Sequence, residues 1–143
     1  MDSGKKTINH VEIRKILPVQ DGYRMPGEYE PHRGCILIWP ERPGSWRNGA
    51  REAKKAFADV IRAIAKSEEV YLAASGKTFS EAKKLAQRLQ TDEALYPIRV
   101  FTAETDDAWA RDVGPTFVTD GQEVRGINWE FNAWGGTEDG LYA

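Results

Sequence analysis

The stretch Gly34-Cys35-Ile36-Leu37-Ile38-Trp39-Pro40 decides the fold class of this chain. The unbroken apolar run from Cys35 to Trp39 predicts a strand buried on both faces, because a strand with one wet face would alternate apolar and polar residues. Pro40 ends the strand, since proline has no backbone N–H for a sheet ladder. Strands of this kind are typical of parallel sheets covered by helices.

Helical periodicity follows this strand twice. From about Asn48, apolar residues recur every three or four positions with charged residues mostly opposite, which predicts an amphipathic helix. Thr78 and Glu81 have the spacing of a capping box and predict a second helix start. The predicted apolar faces are Ala53, Phe57, Val60, Ile61 and Ile64 in the first helix, and Ala82, Leu85, Ala86 and Leu89 in the second.

Four further short segments are predicted to be strands. Val70 to Ala74 and Pro97 to Phe101 follow the two helices. Val113 to Thr119 and Glu123 to Trp129 predict a hairpin, joined by the turn pair Asp120-Gly121. The resulting order, β-α-β-α-β-β-β, predicts an α/β fold.

The N-terminal stretch is different in character. Met1 to Gly34 is rich in charge, proline and glycine and predicts mostly irregular chain. The chain ends soon after two apolar strands with no helix to cover them, which indicates an interrupted domain rather than a finished one.

Composition excludes several classes of protein. The 143 residues carry 20 basic and 22 acidic side chains, so no basic excess predicts binding to nucleic acid or to an anionic membrane. The longest apolar run is far too short for a membrane span, and the polar stretch Met1 to Thr7 is unlike a signal peptide. A single cysteine excludes an intrachain disulfide. We expect a cytoplasmic protein.

The segment from Glu104 to Pro115, ETDDAWARDVGP, is the strongest candidate for chemistry. It leaves one predicted strand and enters another, and α/β folds place ligands at strand ends. A carboxylate beside an indole suits a planar cation, because the carboxylate accepts paired N–H bonds and the indole adds a cation–π contact. The alternative is that Arg111 and Asp112 are ordinary surface charges and that Trp109 is a packing residue.

Other candidates are weaker. The aromatic segment from Asn128 to Gly136, NWEFNAWGG, suits a pocket wall or a core equally well. Cys35 lies in an apolar run with no adjacent base and is expected to be buried rather than nucleophilic. His10 and His32 have no metal-ligand spacing and are expected at the surface. The sequence Gly76-Lys77-Thr78 is no phosphate loop, since Tyr71 stands where its first glycine would be.

Four blocks in order resemble the agmatine deiminase family of the Porphyromonas-type peptidyl-arginine deiminases. They cover the sequence from about Gly22 onwards. The resemblance therefore implies an irregular lead-in, residues 1–21, which carries none of the blocks, and the N-terminal part of one truncated deiminase catalytic domain, residues 22–143. The blocks are Tyr23 to His32, YRMPGEYEPH; Ile38 to Pro43, IWPERP; Asp107 to Phe117, DAWARDVGPTF; and Asn128 to Gly136, NWEFNAWGG.

The resemblance implies a partial pentein, an α/β propeller of ββαβ units, with about two of its five units present. It implies hydrolysis of agmatine to N-carbamoylputrescine and ammonia through an amidino-cysteine intermediate, with no cofactor or metal. It implies that Asp112 binds the substrate guanidinium and assists proton transfer, as a catalytic residue, and that Trp109 walls the same pocket.

The family's catalytic histidine and cysteine lie beyond the end of this sequence, so we expect the chain alone to be inactive. Its expected partners are a small guanidine substrate and either further copies of itself or the remainder of the enzyme. Two alternatives stay open. One is a related arginine or peptidyl-arginine deiminase, since the Trp109-to-Asp112 motif suits any guanidinium. The other is a non-catalytic binding remnant.

Overall fold

A computed structural model describes residues 17–92, 94–105, 108–133 and 135–137. The predicted α/β class and strand order are confirmed. The structure contains one short helix that was not predicted, at the position where the strand beginning at Val113 was expected. The elements are β1 (Gly34–Ile38), α1 (Arg51–Ile64), β2 (Glu69–Ala74), α2 (Phe79–Asp92), β3 (Ile98–Thr102), α3 (Ala110–Val113), β4 (Thr116–Thr119) and β5 (Val124–Ile127).

The first three strands form a parallel sheet in the order β1-β2-β3. Gly34 pairs with Glu69 at one end of the β1-β2 ladder, and Val70 with Ile98 in the β2-β3 ladder. At Gly34 a side chain is excluded, because a Cβ there would collide with the Glu69 carbonyl oxygen. The helices α1 and α2 are the crossovers that parallel pairing requires.

The core lies between one face of this sheet and the two long helices. Along β2 the alternating residues Val70 and Leu72 are fully buried, and Ile61 of α1 and Leu89 of α2 pack on them. Trp39, just after β1, is 3% exposed and meets Phe57 edge to face at 6.3 Å between ring centroids. Strand β2 is the most buried strand because it lies at the centre of the sheet and both helices pack on its Val70-Leu72 face.

The prediction that β1 is buried on both faces is wrong in part. Ile36 is 36% exposed, and Cys35 is half-buried. In register, Ile36 lies beside Tyr71, on the sheet face opposite the Val70-Leu72 row. Strand β1 is also an edge strand and has β2 as its single partner in the sheet. The apolar run marked the strand correctly, but the helices cover only one side of it.

Both helix starts differ from the sequence prediction in detail. The first begins at Arg51 rather than near Asn48, because Asn48 to Ala50 adopt left-handed backbone angles within a short 3-10 segment. Val60, assigned to the apolar face, is 46% exposed. The second helix begins at Phe79, and the Thr78 hydroxyl donates to Glu41 instead of forming a box with Glu81.

The last two strands form an antiparallel hairpin separate from the parallel sheet. Its turn is as predicted, since the Asp120 carboxylate accepts the Gln122 and Glu123 N–H groups at 2.8 Å. Both strands are shorter than predicted.

The N-terminal segment is largely irregular, yet Arg24 pairs with Thr119 and Tyr23 is 5% exposed. Residues 1–16 of the predicted lead-in lie outside the described residues.

Candidate functional site

Three loops meet at the carboxyl edge of the parallel sheet. Glu41 follows β1 and accepts hydrogen bonds from the Ser75 hydroxyl at 2.7 Å and the Thr78 hydroxyl at 2.6 Å. The Gly76 N–H donates to the Glu104 carboxylate at 2.9 Å. The loops after β1, β2 and β3 are therefore tied to one another. Sequence reasoning included Glu41 and Glu104 in its motifs but did not predict their contacts, because the partners lie about 30 residues away.

The loop after β3 leads into the candidate segment. Trp109 directly precedes α3, and its carbonyl oxygen accepts the Asp112 N–H at 3.0 Å and the Val113 N–H at 3.2 Å. Gly114 closes the turn, where a Cβ would collide with the Ala110 carbonyl oxygen. Trp109 and Asp112 are thus held on one tight turn. Asp106 and Asp107 of the same segment lie outside the described residues.

Exposure argues against a packing role for Trp109, while the exposed Asp112 suits a ligand and a surface charge alike. Trp109 is 55% exposed, which is too much for a core tryptophan, and Asp112 is also exposed. The Arg111 guanidinium pairs with Glu28 at 2.6 Å, away from its neighbour Asp112. Within the described part of the chain, the Asp112 carboxylate has no hydrogen-bond or ion-pair partner. An available carboxylate and an exposed indole therefore share one turn.

The first motif block reaches the same place. Arg24 binds Glu30 with two parallel hydrogen bonds of 2.7 Å, and the Gly27 N–H donates to the same carboxylate at 2.8 Å. The Arg24 hydrogen bonds and the Gly27 N–H lower the pKa of Glu30 to about 2. This closed turn carries Glu28, the partner of Arg111, so the first block lies against α3.

The fourth motif block lies beside the hairpin. The Trp129 indole N–H donates to the Thr116 hydroxyl at 2.8 Å. Thr116 lies four residues after Asp112 in the sequence. Trp129 is 63% exposed and Phe131 38%, so neither is a core residue. The first, third and fourth blocks, distant in sequence, therefore lie around α3 and the hairpin. Trp134 lies outside the described residues.

Cys35 has a neighbour that sequence reasoning did not find. The pairing of Gly34 with Glu69 brings Glu68 to Cys35. Burial raises the pKa of the Cys35 thiol, and the Glu68 carboxylate raises it further. A raised thiol pKa lowers the thiolate fraction, which opposes a nucleophilic role. His32 is a surface residue as predicted and pairs with Glu68 at 2.6 Å, whereas His10 lies outside the described residues.

Among residues 17–92, 94–105, 108–133 and 135–137, no three histidine, cysteine or acidic side chains cluster in a way that could hold a metal ion. Within the same ranges, no helix has the length and apolar character needed to cross a membrane.

Comparisons with known proteins match these motifs. The family model described as Porphyromonas-type peptidyl-arginine deiminase matches residues 24–142. An agmatine deiminase of Pseudomonas aeruginosa is 50% identical over 126 residues, 87% of this chain and 32% of the relative. An agmatine deiminase of Ectopseudomonas mendocina is 48% identical over 126 residues, with the same two coverages.

A solved agmatine deiminase of Enterococcus faecalis superposes with a TM-score of 0.75 and 41% identity, covering 87% of this chain and 32% of that one. This chain belongs to the Porphyromonas-type peptidyl-arginine deiminase family. It spans about a third of the length of the agmatine deiminases that it matches.

Proposed function

We propose that this chain supplies the guanidinium-binding part of an agmatine deiminase, which hydrolyses agmatine to N-carbamoylputrescine and ammonia. The observation that carries the proposal is the turn holding Trp109 and Asp112, an exposed indole and a carboxylate without a partner among the described residues. The named relatives, about half identical over this region, supply the choice of substrate.

The two side chains would divide the work by their chemistry. The Asp112 carboxylate would accept two parallel N–H bonds from the guanidinium, each charged hydrogen bond contributing about 1.5–3 kcal/mol. It would also take part in proton transfer as the guanidinium carbon becomes tetrahedral. Trp109 would place its ring face on the cation, a contact of about 2 kcal/mol when water is excluded.

The nucleophile would come from outside these 143 residues. An amidino-cysteine intermediate needs a thiolate with a base nearby, and the raised pKa of Cys35 makes it unsuitable. We therefore expect no turnover from the chain alone, and the proposed reaction uses no cofactor. We also propose that the chain forms a partial pentein, with about two of its five units present.

A chimera tests the function directly. Residues 24–142 of this chain would replace the matching segment of the Pseudomonas aeruginosa agmatine deiminase, and ureido product would be measured with agmatine, arginine and a peptidyl-arginine. We expect agmatine to be hydrolysed with at least a tenth of the parent kcat/KM, roughly 1.4 kcal/mol or less in transition-state binding. A preference for arginine or peptidyl-arginine would refute the substrate assignment.

A second experiment tests whether Cys35 could be the nucleophile. The isolated chain is assayed with agmatine as it stands and as Cys35→Ser. Neither protein should produce ureido product. Turnover by the isolated chain that disappears in Cys35→Ser would show that Cys35 is the nucleophile and would overturn the mechanism above.

We also propose that the chain associates, either with copies of itself or with the rest of an enzyme. Large apolar side chains on the hairpin are exposed, including Phe117 at 45% and Val124 at 69%. Exposed apolar strands are an association hazard. Sedimentation should show oligomers, and a stable monomer that binds no hydrophobic dye would contradict the proposal.

A further inference from the structure

A second surface, lined by α1 and α2, has a different chemistry from the turn at α3. A groove of about 830 Å³ runs between α1 and α2. Its walls carry more basic than acidic side chains. The basic side chains are Arg51, Lys54, Lys55, Arg62, Lys84 and Arg88, against the acidic side chains Asp59 and Glu81.

Helical spacing aligns these cations into two rows. On α1, Arg51, Lys55 and Arg62 share one face because their separations are close to whole numbers of turns. At 1.5 Å of rise per residue, this row is about 16 Å long. On α2, Lys84 and Arg88 are one turn apart and face the same groove. Two rows of like charge therefore oppose each other across it.

Five of the six cations of the groove are available to a ligand, whereas the Lys54 side chain is 19% exposed and binds Glu81 at 2.7 Å. Arg51 and Lys55 bind Glu52 at 3.1 and 3.2 Å in pairs whose side chains are largely exposed. Arg62, 37% exposed, binds the exposed Asp59 at 2.6 Å. Exposed pairs contribute little to stability and exchange partners easily. Within the described residues, Lys84 and Arg88 have no ion-pair partner at all.

We propose that this groove binds a carboxylate-rich segment of another protein in extended conformation. A stretch of about five extended residues spans a row of this length. Leu85 and Ala58 line the groove between the basic rows, which gives apolar side chains of the segment a contact. Carboxylates carry a single charge and tolerate Asp59 and Glu81 in the groove better than doubly charged phosphates do.

Two other occupants fit the groove less well. Single-stranded nucleic acid binds on exposed aromatic platforms, and the aromatic side chain of this groove, Trp39, is 3% exposed and donates its indole N–H to Glu81. A second copy of this chain would have to offer its own acidic stretch, residues 104–143, with nine acidic and two basic residues. That stretch contains Asp112, which the proposed function assigns to the guanidinium.

The experiment measures binding of a fluorescein-labelled decapeptide of glutamate with interspersed leucine to the 143-residue chain by anisotropy, at low and at 0.5 M salt. Lys84→Gln/Arg88→Gln should weaken binding about tenfold, because both unpaired cations are lost. The matched control, Lys77→Gln/Lys83→Gln, removes the same charge from α2 and the loop before it and should change affinity less than about twofold. Circular dichroism must be the same for all three proteins.

Several results would overturn the proposal. They are absence of binding, equal losses in the two double variants, or tighter binding of an oligothymidylate or of inorganic polyphosphate than of the peptide. Salt-sensitive self-association that Lys84→Gln/Arg88→Gln abolishes would assign the groove to a second copy instead. Since no readout involves agmatine, the result does not depend on the proposed deiminase function.

Discussion

Two regions of the molecule are stabilised by different kinds of interaction. The first is the parallel sheet with its two helices, and the second is the turn-and-hairpin region that follows it. In the first, Ile61, Val70 and Leu72 are fully buried between helices and sheet. In the second, residues 108–131, the described hydrophobic side chains are mostly exposed, and Val118 at 6% is an exception. The second region is instead held by polar contacts, such as Arg111 to Glu28 and Trp129 to Thr116.

Under the proposed function, this contrast means that stability and substrate binding reside in different regions of the molecule. Burial of apolar side chains stabilises the first region by roughly 1.5–3 kcal/mol per large residue. The second region exposes its carboxylate and its aromatic rings, as the proposed role in guanidinium binding requires. Loops carried on a rigid scaffold are common places for binding residues.

The largest effect should come from the core. Leu72→Ala should lower the free energy of unfolding by about 2–5 kcal/mol, because it leaves a cavity in the central strand. Urea denaturation followed by circular dichroism measures the change. The matched control is Ile36→Ala on the exposed face of β1, with an expected loss of about 1 kcal/mol. Equal losses would show that the covered face is not the source of stability.

The next effect concerns catalysis rather than stability. In the chimera, Asp112→Asn keeps the shape of the side chain but removes its charge and turns one acceptor into a donor. We expect kcat/KM for agmatine to fall more than a hundredfold, about 3 kcal/mol, with an unchanged melting temperature. Activity within a factor of a few of the parent chimera would remove Asp112 from the site.

Trp109→Ala in the same chimera should cost less. It removes a cation–π surface and a pocket wall, so kcat/KM should fall by about 2 kcal/mol while the fold persists. The 55% exposure of Trp109 is the reason for expecting an intact fold. If Trp109→Ala unfolds the protein and Asp112→Asn leaves activity nearly unchanged, the packing interpretation of this segment is correct.

The smallest effect is electrostatic and lies at the first motif block. The pKa of Glu30 is lowered from 4.5 to about 2 by Arg24 and the Gly27 N–H. Its stabilising contribution is therefore fully present above the unfolded pKa and is lost as pH falls through about 2. Carbon-13 NMR titration of Glu30 should show this low pKa, and Arg24→Gln should raise it. A wild-type pKa near 4.5 would contradict the paired geometry.

Much of the fold could be predicted from the sequence. The apolar run after Gly34, the helical period from Arg51 to Ile64 and the Asp120-Gly121 turn are local signals, and each marks an element that the structure contains. The order of these elements settles the α/β class. Motif blocks in the same order settled the family, which the match over residues 24–142 confirms.

The failures share a cause. The strand predicted from Val113 is a helical turn there, because Gly114 closes on Ala110 and ends α3 before β4 begins. The prediction that β1 is buried on both faces failed because the sequence of one strand does not show where that strand lies within its sheet. Local patterns specify an element, while its neighbours decide which of its faces are covered.

By itself, the sequence determined the elements, their order and the residue types gathered at Trp109 and Asp112, since these depend on spacing along the chain. Only the tertiary structure decided which side chains meet. It placed Glu28 on Arg111, Glu41 on Ser75 and Thr78, and Glu68 on Cys35. These contacts join residues that are far apart in sequence. The parallel crossovers bring Glu41 to Ser75 and Glu68 to Cys35 through a register that no local pattern encodes.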